Sequence, residues 1–371
     1  MNILVFSWRD PKHPLAGGAE QVMHEHMKGW ISSGHMVTLF ASYTPGLKTE
    51  EKIDGVRIIR MGYQYWGVQL AGFLYYLKHK EEFDFIVDQF HGLPFFTPLY
   101  VRKPKLAVIQ ETARKVWFLN PLPRPINWLI GIIGYLGEPF IFLIYRNMPF
   151  MTGSDSAKKD VEKMGISSNH IAVVPHGVIV KNPPTSIKKE PKPTIIFLGV
   201  LSRDKGIEDA LKCFKLLSQG RDFNFWVVGK PETEEYGKKI EKITSALGMM
   251  GKVKFWGFVS QEKKFELLKR SHILVNPSVR EGWGLVNIEA NSMGTPVVAY
   301  VSAGLTDSVK NGLNGVLCSK NTPENLTEDI LRIISNDSEL KKLQEGAVKW
   351  SRKFSWDNSV EQSLLLIEGR R

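Results

Sequence analysis

Arg280-Glu281-Gly282-Trp283-Gly284-Leu285-Val286-Asn287-Ile288-Glu289 lies between two patterns: an apolar run, His272-Ile273-Leu274-Val275, that reads as a strand, and a helical spacing over residues 285–293. Strand, glycine-bearing loop and helix make one repeat of a parallel α/β sheet. The carboxylates Glu281 and Glu289 lie eight residues apart, one on the loop and one about two helical turns on. A pair so placed can hold different hydroxyls of one elongated polyol. The glycines let backbone approach a phosphate, and the N–H groups at the start of the helix favour negative charge. The plainer reading, glutamates on a solvated helix face, leaves the glycines on both sides of Trp283 without a purpose.

The alternation continues in both directions. In the second half, apolar runs at 194–199, 225–229, 253–258, 273–276 and 296–299 alternate with helical patterns at 207–217, 234–247, 261–269 and 285–293. The first half has candidate strands at 3–7, 36–41, 56–61, 85–88, 106–109, 149–153 and 171–174, and a helix at 19–33 that stops at Gly34. Between them, residues 181–193 (KNPPTSIKKEPKP) hold four prolines, four lysines and little that could pack, the composition of a linker. The expected fold is α/β: two doubly wound Rossmann-like domains, 1–185 and 186–353, facing each other across a cleft at the carboxyl ends of their strands.

A chain of 371 residues is too long for one ordinary core, which agrees with two domains. Two cysteines, Cys213 and Cys318, form no disulfide framework and suit a reducing compartment. Residues 1–7 lack a basic start and a cleavage site, so they read as a strand rather than a leader, and a cytoplasmic location is expected.

The net charge of +11 is unevenly placed. Residues 1–185 carry 20 Lys+Arg against 15 Asp+Glu, and within them segment 89–146 carries seven against two. The excess of the first half therefore resides in its most apolar segment. Cations beside apolar surface favour an anionic membrane face over nucleic acid, which needs a basic groove with stacking aromatics. Residues 126–145 (INWLIGIIGYLGEPFIFLIY) approach the length of a membrane span, although Glu138-Pro139 and three glycines weaken that reading. A buried helix pair, an interfacial surface touching membrane and a true span all stay open.

The other candidate residues lie at strand ends. In 199–206 (GVLSRDKG), Arg203 and Lys205 precede a glycine and a helix, a place for neutralising phosphate oxygens or simply a solvated loop. Gly17-Gly18 makes a tight turn after the first strand, without the third glycine of a dinucleotide fingerprint. His91 and His176 each follow a strand, where histidine is either a proton carrier or a satisfied core group. Gln110 and Glu111 end another strand. Glu111 can titrate or pair with Arg114, which Lys115 follows. No Asp-x-Asp, Cys-x-x-Cys, His-Glu-x-x-His or Gly-x-Ser-x-Gly occurs, so no metal, cofactor or activated nucleophile is expected.

Together these residues resemble the retaining glycosyltransferases of family 4, which have the two-domain GT-B fold. The E-x7-E motif runs from Glu281 to Glu289, and the G-x-L-x-x-x-K-G loop is 199–206. The N-terminal Gly-Gly-x-Glu is Gly17 to Glu20, and a late run is Ala303-Gly304-Leu305-Thr306-Asp307-Ser308-Val309. The resemblance implies that Lys205 contacts the donor diphosphate, with Arg203 adding charge. It also implies that Glu281 touches the sugar hydroxyls and Glu289 the ribose, and that backbone N–H groups of Gly282, Trp283, Gly284 and Leu285 face phosphate and sugar. Gly17 and Gly18 would close on the diphosphate, Gly257 and Phe258 would flank the nucleobase, and residues 354–371 would cross back to complete the first domain. Two positions depart from the family. Val200 stands where arginine is frequent, and Gln110, which cannot titrate, stands where many members have histidine.

The implied activity is transfer of a hexose from a nucleotide diphosphate sugar to an acceptor hydroxyl, with retention and without metal, in glycan or polysaccharide assembly. Glu281, Lys205, Arg203 and His91 are the candidate catalytic groups. His91, Gln110, Glu111, Arg114 and Lys115 form the expected acceptor side, for a lipid-linked or saccharide acceptor at the cytoplasmic membrane face. A nucleotide-sugar epimerase, a phosphorylase or a non-catalytic nucleotide-sugar-binding protein could use the same architecture.

Overall fold

The computed structural model describes residues 1–64, 67–90, 93–119, 123, 125–178, 187–220 and 222–369. The chain divides into two compact units, Met1–Gly177 with Trp356–Arg371, and Val178–Ser355. The boundary expected at 185 falls in a stretch, 179–186, that lies outside the described residues. Val178 already belongs to the second unit: its N–H donates to the Phe354 carbonyl (3.3 Å) and its side chain packs on that unit's core.

The first unit is built on eight strands: β1 (Asn2–Phe6), β2 (Met36–Ala41), β3 (Glu50–Ile53), β4 (Val56–Arg60), β5 (Phe85–Phe90), β6 (Lys105–Ile109), β7 (Phe150–Thr152) and β8 (Ile171–Val173). Their order is β3-β4-β2-β1-β5-β6-β7-β8, and only the β3/β4 edge pair is antiparallel. Strand β3 (EEKI) is too polar to announce itself by hydropathy. Its hairpin turns at Asp54-Gly55, whose φ values of +47° and +89° fit the turn that matches strand twist.

Helices α1 (Gly18–Ser32), α2 (Val68–His79), α3 (Ile126–Tyr145) and α4 (Asp155–Lys163) cover this sheet. Alternate strand residues serve opposite faces: Ile3 and Val5 pack with Met27 and Trp30 of α1, while Leu4 and Phe6 pack with Tyr75 and Tyr76 of α2.

The second unit alternates strand and helix throughout: β9 (Thr194–Leu198), α5 (Ile207–Leu217), β10 (Asn224–Val228), α6 (Glu234–Ala246), β11 (Val253–Gly257), α7 (Gln261–Arg270), β12 (Ile273–Asn276), α8 (Leu285–Ser292), β13 (Val297–Ala299), α9 (Leu305–Ser308) and β14 (Gly315–Leu317). Its six strands are all parallel, ordered β11-β10-β9-β12-β13-β14. Helices α10 (Pro323–Ile334) and α11 (Asp337–Ser351) close it, and α12 (Trp356–Ile367) belongs to the first unit.

Strand order reverses between β1 and β5 in one sheet and between β9 and β12 in the other. Loops leaving the two strands of such a switch point part to opposite faces and leave a crevice at their carboxyl ends.

The buried helix pair considered for residues 126–145 is overturned. They form one continuous helix, α3, of which only Gly131, Glu138, Phe142 and Tyr145 are buried. The glycines do not break it, and two of them are notches. A Cβ on Gly131 or Gly134 would lie 2.4 Å from the Phe118 ring or 2.3 Å from the Trp117 ring.

Candidate functional site

In the second unit, the switch point brings together the loops after β9 and β12. They touch along their backbones: Val279 N–H donates to the Asp204 carbonyl (2.8 Å), and a Cβ on Gly206 would sit 2.2 Å from the Pro277 carbonyl oxygen. Gly206 also takes φ +72° at the start of α5, so both space and backbone require glycine there.

This contact sets Lys205 Nζ 3.0 Å from Glu281 Oε1, which also accepts a hydrogen bond from Ser278 Oγ (2.9 Å). The Glu281 backbone is fixed by its N–H on the Ala303 carbonyl (3.1 Å). On the other side, Gly304 (φ +77°) passes so close that a Cβ would lie 2.1 Å from the Glu281 carbonyl oxygen. Two motifs far apart in sequence thus form one charged pair, partly open to solvent.

Behind it, buried asparagines hold the start of α8. Asn276 Nδ2 donates to Asn287 Oδ1 (2.8 Å), and Asn287 Nδ2 donates to Ser308 Oγ (2.9 Å). Buried amides satisfied by one another fix a backbone shape that apolar side chains would leave free. Gly284 precedes α8 at φ +78°, where a Cβ would meet Ser308 Oγ at 2.7 Å. Leu285 opens the helix. Trp283 is buried with its ring 5.0 Å from that of Phe354, so of Trp283 only the backbone can meet a ligand.

Glu289, one helical face further, is buried and paired with Lys264 Nζ at 2.5 Å. Lys264, on α7, was not anticipated, and no local spacing signals it. Arg203 is exposed, with no ion pair among the described residues, and Val200 is exposed beside it. Gly257 (φ +65°) gives its carbonyl to the Gly229 N–H (2.9 Å), and Phe258 projects outward with Lys230 Nζ 5.0 Å from its ring centre. A flat, exposed ring beside a cation suits stacking on a base.

In the first unit, Gly17 precedes α1 and its N–H donates to Glu20 Oε2 (2.7 Å). Glu20 Oε1 accepts from Arg9 Nε (2.9 Å), while Asp10 grips Arg60 with two bonds of 2.7 Å, both side chains buried. The loop carrying Gly17 and Gly18 is thus held at both ends. No side chain or backbone outside the helix comes within 4 Å of where a Gly18 Cβ would be, which leaves room at the helix start.

His176 is not a surface proton carrier. It is buried, its Nε2 lies 2.6 Å from Gln110 Oε1, and Gly153 is pressed so close that a Cβ would lie 2.3 Å from that nitrogen. Burial, and secondarily the nearby His26, push His176 down to about 3; burial pushes His26 to about 4. Both rings contact Trp356 of α12, and Ser363 of that helix bonds His26 Nδ1 (3.0 Å) and Trp30 Nε1 (2.9 Å). Glu111 follows Gln110. Arg114 turns its guanidinium over the Tyr135 ring (4.9 Å). His91 lies outside the described residues, as does the Lys115 side chain.

Known proteins share this architecture. Sucrose-phosphate synthase from Thermosynechococcus elongatus superposes with TM-score 0.81 at 18% identity, covering 99% of this chain and 98% of that one. Anabaena HepE, solved with UDP-glucose, gives 0.76 at 16%, covering each chain completely. Both likenesses concern the fold, which is GT-B.

In sequence, an uncharacterized glycosyltransferase of Methanocaldococcus jannaschii is 32% identical over 167 residues, 44% of this chain. The match spans 45% of that relative, so the chain aligns with about half its length. The family described as Glycosyltransferase Family 4 matches residues 16–181, and Glycosyl transferases group 1 matches residues 180–350. With nearly the whole chain accounted for, the protein belongs to the group 1 glycosyltransferases of family 4.

Proposed function

We propose that the chain moves a hexose from a nucleoside diphosphate sugar to an acceptor hydroxyl with retention, the acceptor being a lipid-linked or membrane-proximal saccharide. The observation that carries this reading is the Lys205–Glu281 contact at the β9/β12 switch point. On donor entry, Lys205 can shift its proton donation from the carboxylate to a diphosphate oxygen, which leaves Glu281 to accept from sugar hydroxyls. Lys205, Arg203 and the start of α8 then oppose the charge that grows on the departing diphosphate, the usual largest contribution in such a site. Glu289 suits the ribose hydroxyls, and Phe258 the base. No metal is invoked. The UDP-glucose held by the Anabaena protein makes a uridine diphosphate sugar the first donor to try.

The acceptor reading rests on α3. Leu129, Ile133, Leu136, Phe140 and Leu143 recur at three- and four-residue spacing, and each is more than half exposed. The buried residues Gly131, Glu138, Phe142 and Tyr145 lie on the other side. A strip this apolar, on a helix of about 30 Å, is what lies in a bilayer interface, and exposed Arg102 and Arg146 suit anionic headgroups at the cytoplasmic face.

Thermal stabilisation by a panel of nucleotide sugars tests the donor half. A ligand at a hundred times its Kd adds about 2.7 kcal/mol, and a panel without effect would remove the reading. Donor conversion without acceptor would point to an epimerase. Stabilisation without turnover on any acceptor would point to a binding protein.

A further inference from the structure

Glu138 is the one carboxylate on α3, and it is buried. Its partners all lie on the segment that leaves the carboxyl end of β6. Oε1 accepts from the Ala113 N–H (2.7 Å), and Oε2 accepts from the Arg114 N–H (2.8 Å) and from Trp117 Nε1 (3.3 Å). Two successive N–H groups converge on one carboxylate, and at the second of them the chain takes φ +43°, a conformation that a non-glycine residue such as Arg114 holds only when its surroundings demand it. The glycine notches add to the grip: Trp117 sits against Gly134 and Phe118 against Gly131. A second tie joins α3 to the sheet, where Tyr145 donates to the buried Asp88 (2.5 Å). Residues 113–118 therefore have no independent position; they ride on the inner face of the helix whose outer face is the apolar strip.

We infer that Glu138 is a positioning residue: it latches the Gln110–Arg114 loop to α3, so that seating α3 on a lipid surface and presenting the acceptor-side loop are one event. This rests on the membrane reading of α3 given above. An apolar residue at 138 would satisfy a lipid-facing helix equally well. A carboxylate there has a reason only if the loop's N–H groups must be held, since burying a charge without such donors is costly.

Amide hydrogen exchange on the full chain, with and without vesicles containing phosphatidylglycerol, tests the latch. Without vesicles, Glu138→Ala should speed exchange at residues 112–119 about tenfold or more relative to the native chain. Glu138→Gln, which keeps one acceptor oxygen, should fall between. With vesicles, the native chain should gain protection both on α3 and at 112–119. Glu138→Ala should still pellet with vesicles within about twofold of native, yet gain protection on α3 alone.

Equal exchange at 112–119 in the native chain and Glu138→Ala overturns the latch. Vesicle protection confined to α3 in the native chain overturns the coupling. Failure of the native chain to pellet defeats the membrane reading instead, while the vesicle-free comparison still decides the latch. Should Glu138→Ala not fold, Glu138→Gln serves: it keeps the side chain's size and one acceptor oxygen, so exchange at 112–119 faster than in the native chain supports the latch and equal exchange overturns it.

Discussion

Lowering the pH from 7 to 5 should weaken the first unit through His26 and His176. Both rings are buried, and one nitrogen of each has a neutral partner: Ser363 Oγ for His26 Nδ1 and Gln110 Oε1 for His176 Nε2. Burial is the leading cause that depresses both, to about 4 and about 3. In the unfolded chain each would titrate near 6.5. Between pH 6.5 and these folded values the unfolded chain binds more protons, so stability falls as pH falls; above pH 7 both states are neutral and the effect vanishes.

From pH 7 to 5 each ring contributes roughly 2 kcal/mol of lost stability, about 1.36 kcal/mol for each pH step below 6.5. Urea unfolding at both pH values reads the loss directly. Other titrating groups cancel when the native chain is compared with His26→Gln, which should lose roughly 2 kcal/mol less over the same interval. Equal losses in the two proteins, or a His26 ring that titrates near 6.5 by NMR, would refute the argument.

Lys205→Ala and Glu281→Ala should each lower turnover more than about a hundredfold, measured as sugar release from the donor identified by thermal shift. Near-normal rates in both would sink the roles given to them. Gly304→Ala forces a Cβ against the Glu281 carbonyl at an unfavourable φ, and should cost about 1–3 kcal/mol in unfolding experiments while weakening stabilisation by donor. Asn287→Ala leaves Asn276 and Ser308 short of a partner in the interior, and a loss of about 1–3 kcal/mol is expected on denaturation. Leu136→Glu with Phe140→Glu should abolish vesicle pelleting without lowering Tm, because both side chains are exposed; undiminished pelleting would remove α3 from the membrane contact.

Much of the fold was legible along the chain. A parallel strand covered on both faces must be apolar throughout, and its crossover helix must be amphipathic, so runs such as Ile195-Ile196-Phe197 stood out. Strand β3 was too polar to register. The charged motifs were legible as well, because glycines with positive φ are needed where Gly206 and Gly304 meet other backbone.

What stayed hidden was pairing. Glu289 and Lys264 lie on different helices, and nothing in their spacing joins them. Composition left 126–145 open to a core, an interface or a membrane span, the span being the reading that Glu138-Pro139 and three glycines weaken.

The sequence by itself determined the two largely parallel sheets and the residue types of the proposed donor site, because periodicity and glycine placement are properties read along the chain. Only the tertiary structure decided that Lys205 meets Glu281, that His176 is a buried neutral partner of Gln110, and that α3 keeps Glu138 inside and its apolar strip outside. Those depend on which loops the strand order brings to one edge and which side of a helix finds a neighbour to bury it.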